Sequence, residues 1–386
     1  MTGKAIVIGA GIAGLSTALR LRDAGWEPLV VERAPSLRDS GYAVVFSGIG
    51  YDAAERMGIL AGLRDRAIPA TDLVYVKPDG STRFRIPRDT VRALQGERSL
   101  NILRGDIERV LYEAVRERVE IRFSTTPRAV EQDDEAVKVT LSDGTVVEAD
   151  LLVGADGLHS ATRELVFGRE EKFRRDLGHM VGVFMMEGLP GGVAEDATSS
   201  LTVGGRTLAI VHVGDGRCAA FFGYRTDRPD AELADGASRA LPRAYANMRW
   251  VAPEVLAQLS EADSVYFDAI SQRIVDRWSR GRVVLIGDAA WCVTLFAGFG
   301  SSLAVAGADL LGEALERHGD DVRGALSSWE QRLRPEAERK QQLGRRVKGL
   351  YAPADPVRLW LRDLPLRMAA LPPVTHLLKR RLQLKG

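Results

Sequence analysis

The feature that most limits the fold of this chain is a set of closely spaced glycines within residues 9–14. Residues 4–8, directly before it, form a short apolar run that predicts a buried strand. Residues 12–24 carry apolar side chains at helical spacing and are followed by a glycine that fits a helix C-cap. Residues 28–32 predict a second buried strand. Strand, helix and strand within about 30 residues predict a right-handed βαβ unit with parallel strands.

The glycine motif consists of Gly9, Gly11 and Gly14, with Ile12 and Ala13 between the last two. Glycines at this spacing allow a tight turn, a close approach of the backbone to a pyrophosphate, and close packing of helix on strand. The N-terminus of the following helix attracts phosphate charge. Glu32 ends the second strand, where an acidic side chain accepts hydrogen bonds from an adenosine ribose. The motif therefore predicts a dinucleotide site, and the alternative is a glycine-rich turn that only packs.

Composition and charge exclude several classes of protein. The length of 386 residues suggests two or three domains. The chain has 53 Lys+Arg and 52 Asp+Glu, and a net charge of +1 argues against nucleic-acid binding through a basic surface. Cys218, Cys292 and five scattered histidines lack the spacing of metal ligands, so we expect no metal site. Because no apolar run is long enough to span a bilayer, we expect a cytoplasmic protein without a membrane span.

Two more apolar strands, at residues 150–155 and 282–287, also end in glycine motifs. The residues between them are β-like at 180–186 and 201–226. If the apolar strands share one sheet, a second domain is inserted between them. The pattern predicts an α/β fold with a Rossmann-like domain, an inserted β-sheet domain and C-terminal helices.

Other segments predict local structure. Residues 119–123, 136–142 and 145–148 alternate like antiparallel strands. Residues 301–317 predict a long helix. The remaining residues predict helices that are broken at prolines such as Pro365.

The two later strands are each followed by an aspartate. Gly154-Ala155-Asp156-Gly157 follows one of them, and Gly287-Asp288-Ala289-Ala290 follows the other. Taken singly, each aspartate is explained as a helix cap. Taken together with the first motif, they resemble the FAD-dependent class A monooxygenases of the aromatic hydroxylase type, over about residues 4–330. The chain is similar to tetracycline-inactivating and antibiotic-tailoring members of that family.

This resemblance implies FAD as the cofactor and NAD(P)H as a transient reductant. It implies that Asp288 binds the ribityl hydroxyls of FAD and that Asp156 is associated with both FAD and NADPH. Arg104 would lie near the pyrophosphate and the ribityl chain, and Arg33 on the adenine side. The helix after residue 300 would direct its N-terminus at the flavin and stabilise the reduced anion. The expected cofactor-binding residues are Gly9, Gly11, Ile12, Ala13, Gly14, Glu32, Arg33, Arg104, Asp156, Gly287, Asp288, Ala289, Gly298, Gly300, Ser301 and Ser302.

The family resemblance also implies a reaction, the insertion of one oxygen atom from O2 into a small aromatic or polyketide-like molecule through a flavin 4a-hydroperoxide. The expected setting is antibiotic biosynthesis. Since the chemistry belongs to the flavin, no catalytic side chain is assigned, and Gln272 is a candidate because relatives often place active-site contacts there. An oxidase or cyclase of the same fold is the alternative. A non-enzymatic dinucleotide sensor stays open, whereas the Trp-x-Trp-x-Ile-Pro signature of flavin halogenases is absent.

Several residues depart from the family pattern near the flavin. Trp291 replaces a histidine, Leu295 a proline and Phe299 a polar residue, and Ser302 stands where Asn or Thr often follows. These changes make the expected flavin edge more apolar. They keep the oxidase or cyclase alternative open.

The resemblance divides the chain as follows. The FAD-binding domain is expected at 1–70, 101–175 and 271–340, the substrate-binding domain at 71–100 and 176–270, and a C-terminal helical segment at 341–386. Residues 345–386 carry ten Lys or Arg against two Asp or Glu. The last of them, residues 377–385, are amphipathic and basic, and for this segment we expect a helix packed on the FAD domain with a solvated basic face, with a membrane surface or an acidic partner as the alternative. The expected partners are a small substrate and O2, in a monomer or homodimer.

Overall fold

The computed structural model describes residues 3–37, 42–214, 216–294 and 298–370. Its strands are β1 (Lys4–Ile8), β2 (Glu27–Val31), β3 (Ala43–Ser47), β4 (Asp72–Val76), β5 (Thr82–Ile86), β6 (Ser99–Leu103), β7 (Glu120–Arg122), β8 (Pro127–Gln132), β9 (Val137–Leu141), β10 (Val146–Ala149), β11 (Leu151–Gly154), β12 (Arg174–Met186), β13 (Ala197–Val203), β14 (Arg206–His212), β15 (Cys218–Arg225), β16 (Val265–Arg273), β17 (Ser279–Arg280) and β18 (Val283–Leu285). Its α-helices are α1 (Ile12–Asp23), α2 (Ile49–Arg56), α3 (Leu60–Asp65), α4 (Arg88–Gln95), α5 (Arg104–Val115), α6 (Ala161–Phe167), α7 (Pro229–Asp235), α8 (Ala237–Tyr245), α9 (Ala252–Gln258), α10 (Asp288–Trp291), α11 (Gly300–His318), α12 (Val322–Tyr351) and α13 (Pro356–Ala369).

A six-stranded sheet collects strands from distant parts of the chain in the order β17-β18-β11-β1-β2-β7. Every neighbouring pair is parallel except β17 with β18. β1, β11 and β18 are almost entirely buried, which explains why they are continuous apolar runs rather than alternating ones. This sheet confirms the Rossmann-like fold and the expectation that the three apolar strands lie together.

Helices cover one face of this sheet and a small sheet covers the other. Val7 points into a core that includes Leu15 of α1, Leu111 of α5 and Leu311 of α11. The neighbouring residue Ile6 points the other way, into a core shared with β9 and β10 of the antiparallel sheet β10-β9-β8. The alternation of side chains along β1 therefore separates the two layers.

A seven-stranded sheet has the order β16-β12-β15-β14-β13-β4-β5, and only β13 and β4 are parallel. One face buries residues such as Phe184 and Phe222 against α8 and α9. The other face carries Val181 and packs toward Tyr42, before β3, and Leu103, at the end of β6. This face therefore lies beside the N-terminus of α5.

The C-terminal helices connect the two large sheets. Trp329 of α12 is buried in the core around the six-stranded sheet. Tyr351, at the end of α12, packs on Phe221 of β15 with ring centroids 6.1 Å apart. The prediction that Pro365 breaks a helix is wrong, since Pro365 lies inside α13. Proline removes only one backbone donor from the helix, and the ion pair of Asp363 with Arg83 holds α13 on the sheet. Among the described residues, every helix is too short or too polar for a membrane crossing.

One strand prediction is also wrong. Residues 119–123, predicted as an antiparallel strand, contain β7, which is parallel to β2 at the edge of the six-stranded sheet. The antiparallel neighbour of β9 is β8, which sequence patterns missed since it begins at Pro127 and carries polar residues. The antiparallel pairing of β9 with β10 confirms the prediction for residues 136–142 and 145–148.

Candidate functional site

Two of the motif glycines are required by packing, and the third could carry a Cβ without a clash. Gly9 has φ +105°, and a Cβ there would lie 2.6 Å from the carbonyl oxygen of Ala155. A Cβ on Gly14 would lie 1.8 Å from the carbonyl oxygen of Gly9. On Gly11 the nearest atom would be Oε1 of Glu108 at 3.5 Å, an ordinary contact distance. Gly11 therefore leaves its side of the loop free for the approach of a ligand.

The glycine loop leads into the N-terminus of α1. Gly11 is the N-cap of this helix, and no side chain caps the first turn. Unbonded N–H groups and the helix dipole make such an end suited to a phosphate. Ile12 and Ala13 form the first turn, and a Cβ on Gly287 would lie 2.7 Å from Cβ of Ala13. The third motif therefore lies directly against the first.

Glu32 is fixed at the edge of this loop. Its Oε2 accepts a hydrogen bond from the N–H of Ala10 at 2.8 Å, and its Oε1 accepts one from the N–H of Ala34 at 2.8 Å. A carboxylate can accept about four hydrogen bonds, so acceptor capacity is left for a ribose. Arg33, next to it, is exposed.

Asp156 has local partners on α6. Its carboxylate accepts hydrogen bonds from Oγ of Ser160 at 2.5 Å and from N and Oγ1 of Thr162 at 2.9 and 3.0 Å. These bonds stabilise the start of α6, as the helix-cap interpretation of the second motif requires. The cofactor role of Asp156 stays a prediction.

Asp288 and Arg104 face one cleft between the motifs. Asp288 is solvent-exposed but closely surrounded by protein, and this burial raises the pKa of its carboxyl, although the charge of Arg104 opposes the rise. Burial lowers the pKa of Arg104, but Glu108, which pairs with it at 2.9 Å, leaves that pKa raised overall. Groups that are both enclosed and accessible are typical of a binding cleft, where perturbed pKa values concentrate.

The N-terminus of α11 also reaches this cleft. A Cβ on Gly300 would lie 3.9 Å from Oδ1 of Asp288, so the helix begins beside the carboxylate. Ser302 is buried, and its Oγ accepts a hydrogen bond from the N–H of Ser47 at 3.0 Å. This bond fastens α11 to β3. Gly298 precedes the helix, whereas Leu295 lies outside the described residues.

Phe299, the N-cap of α11, has a cation as its neighbour. The Nζ atom of Lys340 lies 3.5 Å from the centre of its ring, a cation–π contact. Phe299, which replaces a polar residue of the family pattern, therefore has the charge of Lys340 from α12 next to its ring.

Two tyrosines line the same cleft on the side of the seven-stranded sheet. The rings of Tyr42 and Tyr266 are tilted, with centroids 5.7 Å apart. Tyr266 keeps 43% of its surface accessible, but the protein packed around both phenols raises the pKa of each, and the neighbouring Asp288 adds to the effect. Both phenols are therefore neutral hydrogen-bond donors at neutral pH. Sequence analysis missed Tyr266, because its alternation on β16 does not show which face meets another layer.

Gln272, the catalytic candidate, is fully buried behind the cleft. Its Nε2 donates to the carbonyl oxygens of Val293 and Gln341, each at 2.8 Å. Its Oε1 accepts from Nη1 of Arg345 at 2.8 Å. The amide therefore fastens the segment after α10 to α12, which is a positioning role.

A cluster of charged residues joins the second motif to β16. Arg163 and Arg273 are fully buried, and both pair with Glu170. Nδ1 of His159 lies 3.1 Å from Glu170, and its Nε2 lies 3.4 Å from Asp268 of β16. The hydrogen bond with Asp268 raises the pKa of His159, although burial opposes it. Sequence analysis missed this cluster, since its members are distant along the chain.

We expect Asp288→Ala to lose FAD during purification and to stabilise the apoprotein at pH values above the ordinary pKa of an aspartate, about 4. A carboxyl with a raised pKa binds its proton more tightly in the folded state, so its ionisation lowers stability as the pH rises through the raised value. The penalty persists at neutral pH, and removing the carboxyl removes it. Flavin absorbance and apoprotein melting at acidic and neutral pH measure the two effects. Full retention of FAD would contradict the role of Asp288.

Together, these features define a class: a Rossmann-like protein with an uncapped helix end that is suited to a phosphate and a cleft that is suited to a flavin dinucleotide. Residues 2–342 match the FAD binding domain family, and the chain belongs to this family.

Known relatives agree with this assignment. The chain is 30% identical over 345 residues to a flavin-dependent monooxygenase from an unknown prokaryotic organism, covering 88% of each chain. It is 30% identical over 386 residues to the FAD-dependent monooxygenase asL6 of Sarocladium schorii, covering 91% of this chain and 89% of that one. The crystal structure of the tetracycline destructase Tet(55) has a TM-score of 0.83 at 27% identity and 97% coverage of both chains.

These relationships confirm the resemblance inferred from the motifs. The protein is an FAD-dependent monooxygenase with FAD as its cofactor. The roles of the individual cofactor-binding residues stay predictions.

Proposed function

We propose that the enzyme uses NAD(P)H and O2 to insert one oxygen atom into a small aromatic or polyketide-like molecule. The observation that supports this most is the cleft in which Tyr42 and Tyr266 lie beside Asp288 and Arg104. In this cleft, the predicted cofactor residues Asp288 and Arg104 lie next to the apolar face of the seven-stranded sheet. Bound FAD supplies the activation of oxygen.

The residues of this chain would hold the substrate and exclude water. Val181 and Ile270 are buried on the sheet face that packs toward Tyr42, so an apolar core supports Tyr42 from behind. The neutral phenols of Tyr42 and Tyr266 would donate hydrogen bonds to oxygen atoms of a flat substrate. A few polar groups in an apolar cleft orient a ligand and keep the reacting atoms out of bulk water.

The predicted cofactor residues would share the work of holding FAD. Gly11 and the first turn of α1 would face the pyrophosphate, and Glu32 the ribose. Asp288 would bind the ribityl chain, with Arg104 across the cleft. The positive end of α11 would stabilise negative charge on the reduced flavin. We also propose the division into FAD-binding and substrate-binding domains at the boundaries that the sequence predicts.

The purified holoenzyme tests the proposal with O2 labelled with heavy oxygen, NADPH or NADH, and tetracycline plus a panel of simple phenols. We expect one substrate to accelerate NAD(P)H oxidation and to yield a product with one heavy oxygen atom. Asp288→Ala, as the flavin-poor control, should form none. NAD(P)H oxidation that yields only hydrogen peroxide, or a product without heavy oxygen, would favour an oxidase or cyclase.

A further inference from the structure

The last described helix exposes an apolar stripe. Val357, Trp360, Leu361, Leu364 and Met368 of α13 keep 67, 51, 56, 40 and 52% of their surface accessible. Their spacing places them on one side of the helix, within an arc of about 100°. Exposed apolar patches of this kind mark interaction surfaces.

The orientation of α13 is the reverse of an ordinary surface helix, which buries its apolar side. Asp363 is fully buried and pairs with Arg83 of β5 at 2.9 Å. The guanidinium of Arg362 lies 5.4 Å from the ring centre of Tyr75 on β4. These polar and cation–π contacts hold the helix on the seven-stranded sheet, so the apolar stripe is left facing outward.

The surroundings of the stripe are basic. Asp363 is the only acidic residue of α13, so the exposed side of the helix has no carboxylate. The start of α13 borders a cleft of about 910 Å³. Its charged lining residues are Arg225, Arg345, Arg346, Lys348 and Arg358, with Asp176 and Asp227. Within the described part of the chain, Arg225, Arg346 and Lys348 form no ion pair.

We propose that α13 docks on an anionic lipid surface, with the apolar stripe in the interface and the surrounding cations on the lipid phosphates. A tryptophan among aliphatic side chains, flanked by unpaired cations, is the composition that suits an interfacial helix. A twofold contact between two copies would bring the same cations together, whereas anionic headgroups neutralise them. Charge complementarity therefore favours lipid over a second copy.

Flotation of the full-length holoenzyme with phosphatidylglycerol–phosphatidylcholine vesicles tests the proposal. We expect binding that Trp360→Glu weakens by about tenfold or more, because the change removes the aromatic anchor and adds a repelled charge. Val146→Glu is the matched control, since Val146 is 61% exposed on β10, outside the stripe, and should bind like the unchanged protein. Near-molar salt and pure phosphatidylcholine should each reduce binding, because they screen or remove the anionic charge.

Each other outcome overturns the proposal. Absence of binding to any vesicle does so directly. Binding that salt abolishes but Trp360→Glu leaves unchanged would assign the interaction to basic residues alone. A dimer in solution that Trp360→Glu dissociates, without vesicle binding, would identify a second copy as the occupant. FAD content should be equal in all variants, which separates this result from a failure of the cofactor site.

Discussion

Gly14→Ala should lower the free energy of unfolding of the apoprotein by about 3 kcal/mol. The added Cβ would lie 1.8 Å from the carbonyl oxygen of Gly9, and a backbone atom in a tight turn cannot move aside cheaply. Alanine in a helix gains only about 1 kcal/mol over glycine, so the clash outweighs the gain. The expected result is a less stable apoprotein that no longer packs α1 closely on β1.

Gly11→Ala should change the stability of the apoprotein little but weaken FAD binding strongly. Its Cβ meets nothing closer than 3.5 Å, and its φ of −79° is ordinary for alanine, so stability should change by less than about 0.5 kcal/mol. FAD affinity should fall about 100-fold, because the methyl group would keep the phosphate from two backbone donors worth about 3 kcal/mol together.

Melting of the apoproteins and fluorescence titration with FAD separate the two effects. The two variants serve as controls for each other, because both add one methyl group to the same turn, three residues apart. If Gly11→Ala destabilises the apoprotein as much as Gly14→Ala, the open side of Gly11 serves packing and not a ligand.

The parts of the site that sequence predicted are those in which local rules determine structure. A strand, a glycine turn and a helix are determined by neighbours in the chain, so the positions of Gly9, Gly14 and Gly287 followed from spacing. Parallel strands end at the same edge of a sheet, which is why the motifs around Asp156 and Asp288 meet the first one.

The parts that sequence did not predict depend on packing between distant segments. Tyr266 and Asp268 meet Tyr42 and His159 only because β16 crosses the cleft. Two hydrogen bonds of the Gln272 side chain are made with Gln341 and Arg345 of α12, a helix that begins some 50 residues later in the chain. No spacing rule within β16 distinguishes a side chain that faces substrate from one that fastens a helix.

Glu170→Gln should lower the free energy of unfolding by about 3–5 kcal/mol, the cost of leaving a buried charge without its partner. Arg163 and Arg273 are both fully buried, and Glu170 is the carboxylate that both contact. Their remaining bonds go mainly to backbone carbonyls, such as that of Leu158, which do not neutralise charge.

Glu171→Gln is the control for this change. Glu171 is the next residue, but it is exposed and pairs with the exposed Arg169, so its loss should leave the free energy of unfolding almost unchanged. Chemical denaturation of the two variants measures the difference. Equal costs would show that the buried guanidiniums do not depend on Glu170.

The deficit of Glu170→Gln should also grow as the pH falls through the raised pKa of His159, because His159 then carries a charge that Glu170 attracts. A histidine with a raised pKa stabilises the folded state fully below its ordinary pKa and loses that contribution as the pH rises through the raised value. Between about pH 6 and pH 8 carboxylates and guanidiniums keep their charges, so a pH-dependent part of the deficit in this range reports on His159. Since His159 also contacts Asp268, the bond of Glu170 to it joins the second motif to β16. Glu170→Gln should therefore loosen the cofactor side from the sheet that faces it, and a deficit that is constant with pH would exclude His159 from this connection.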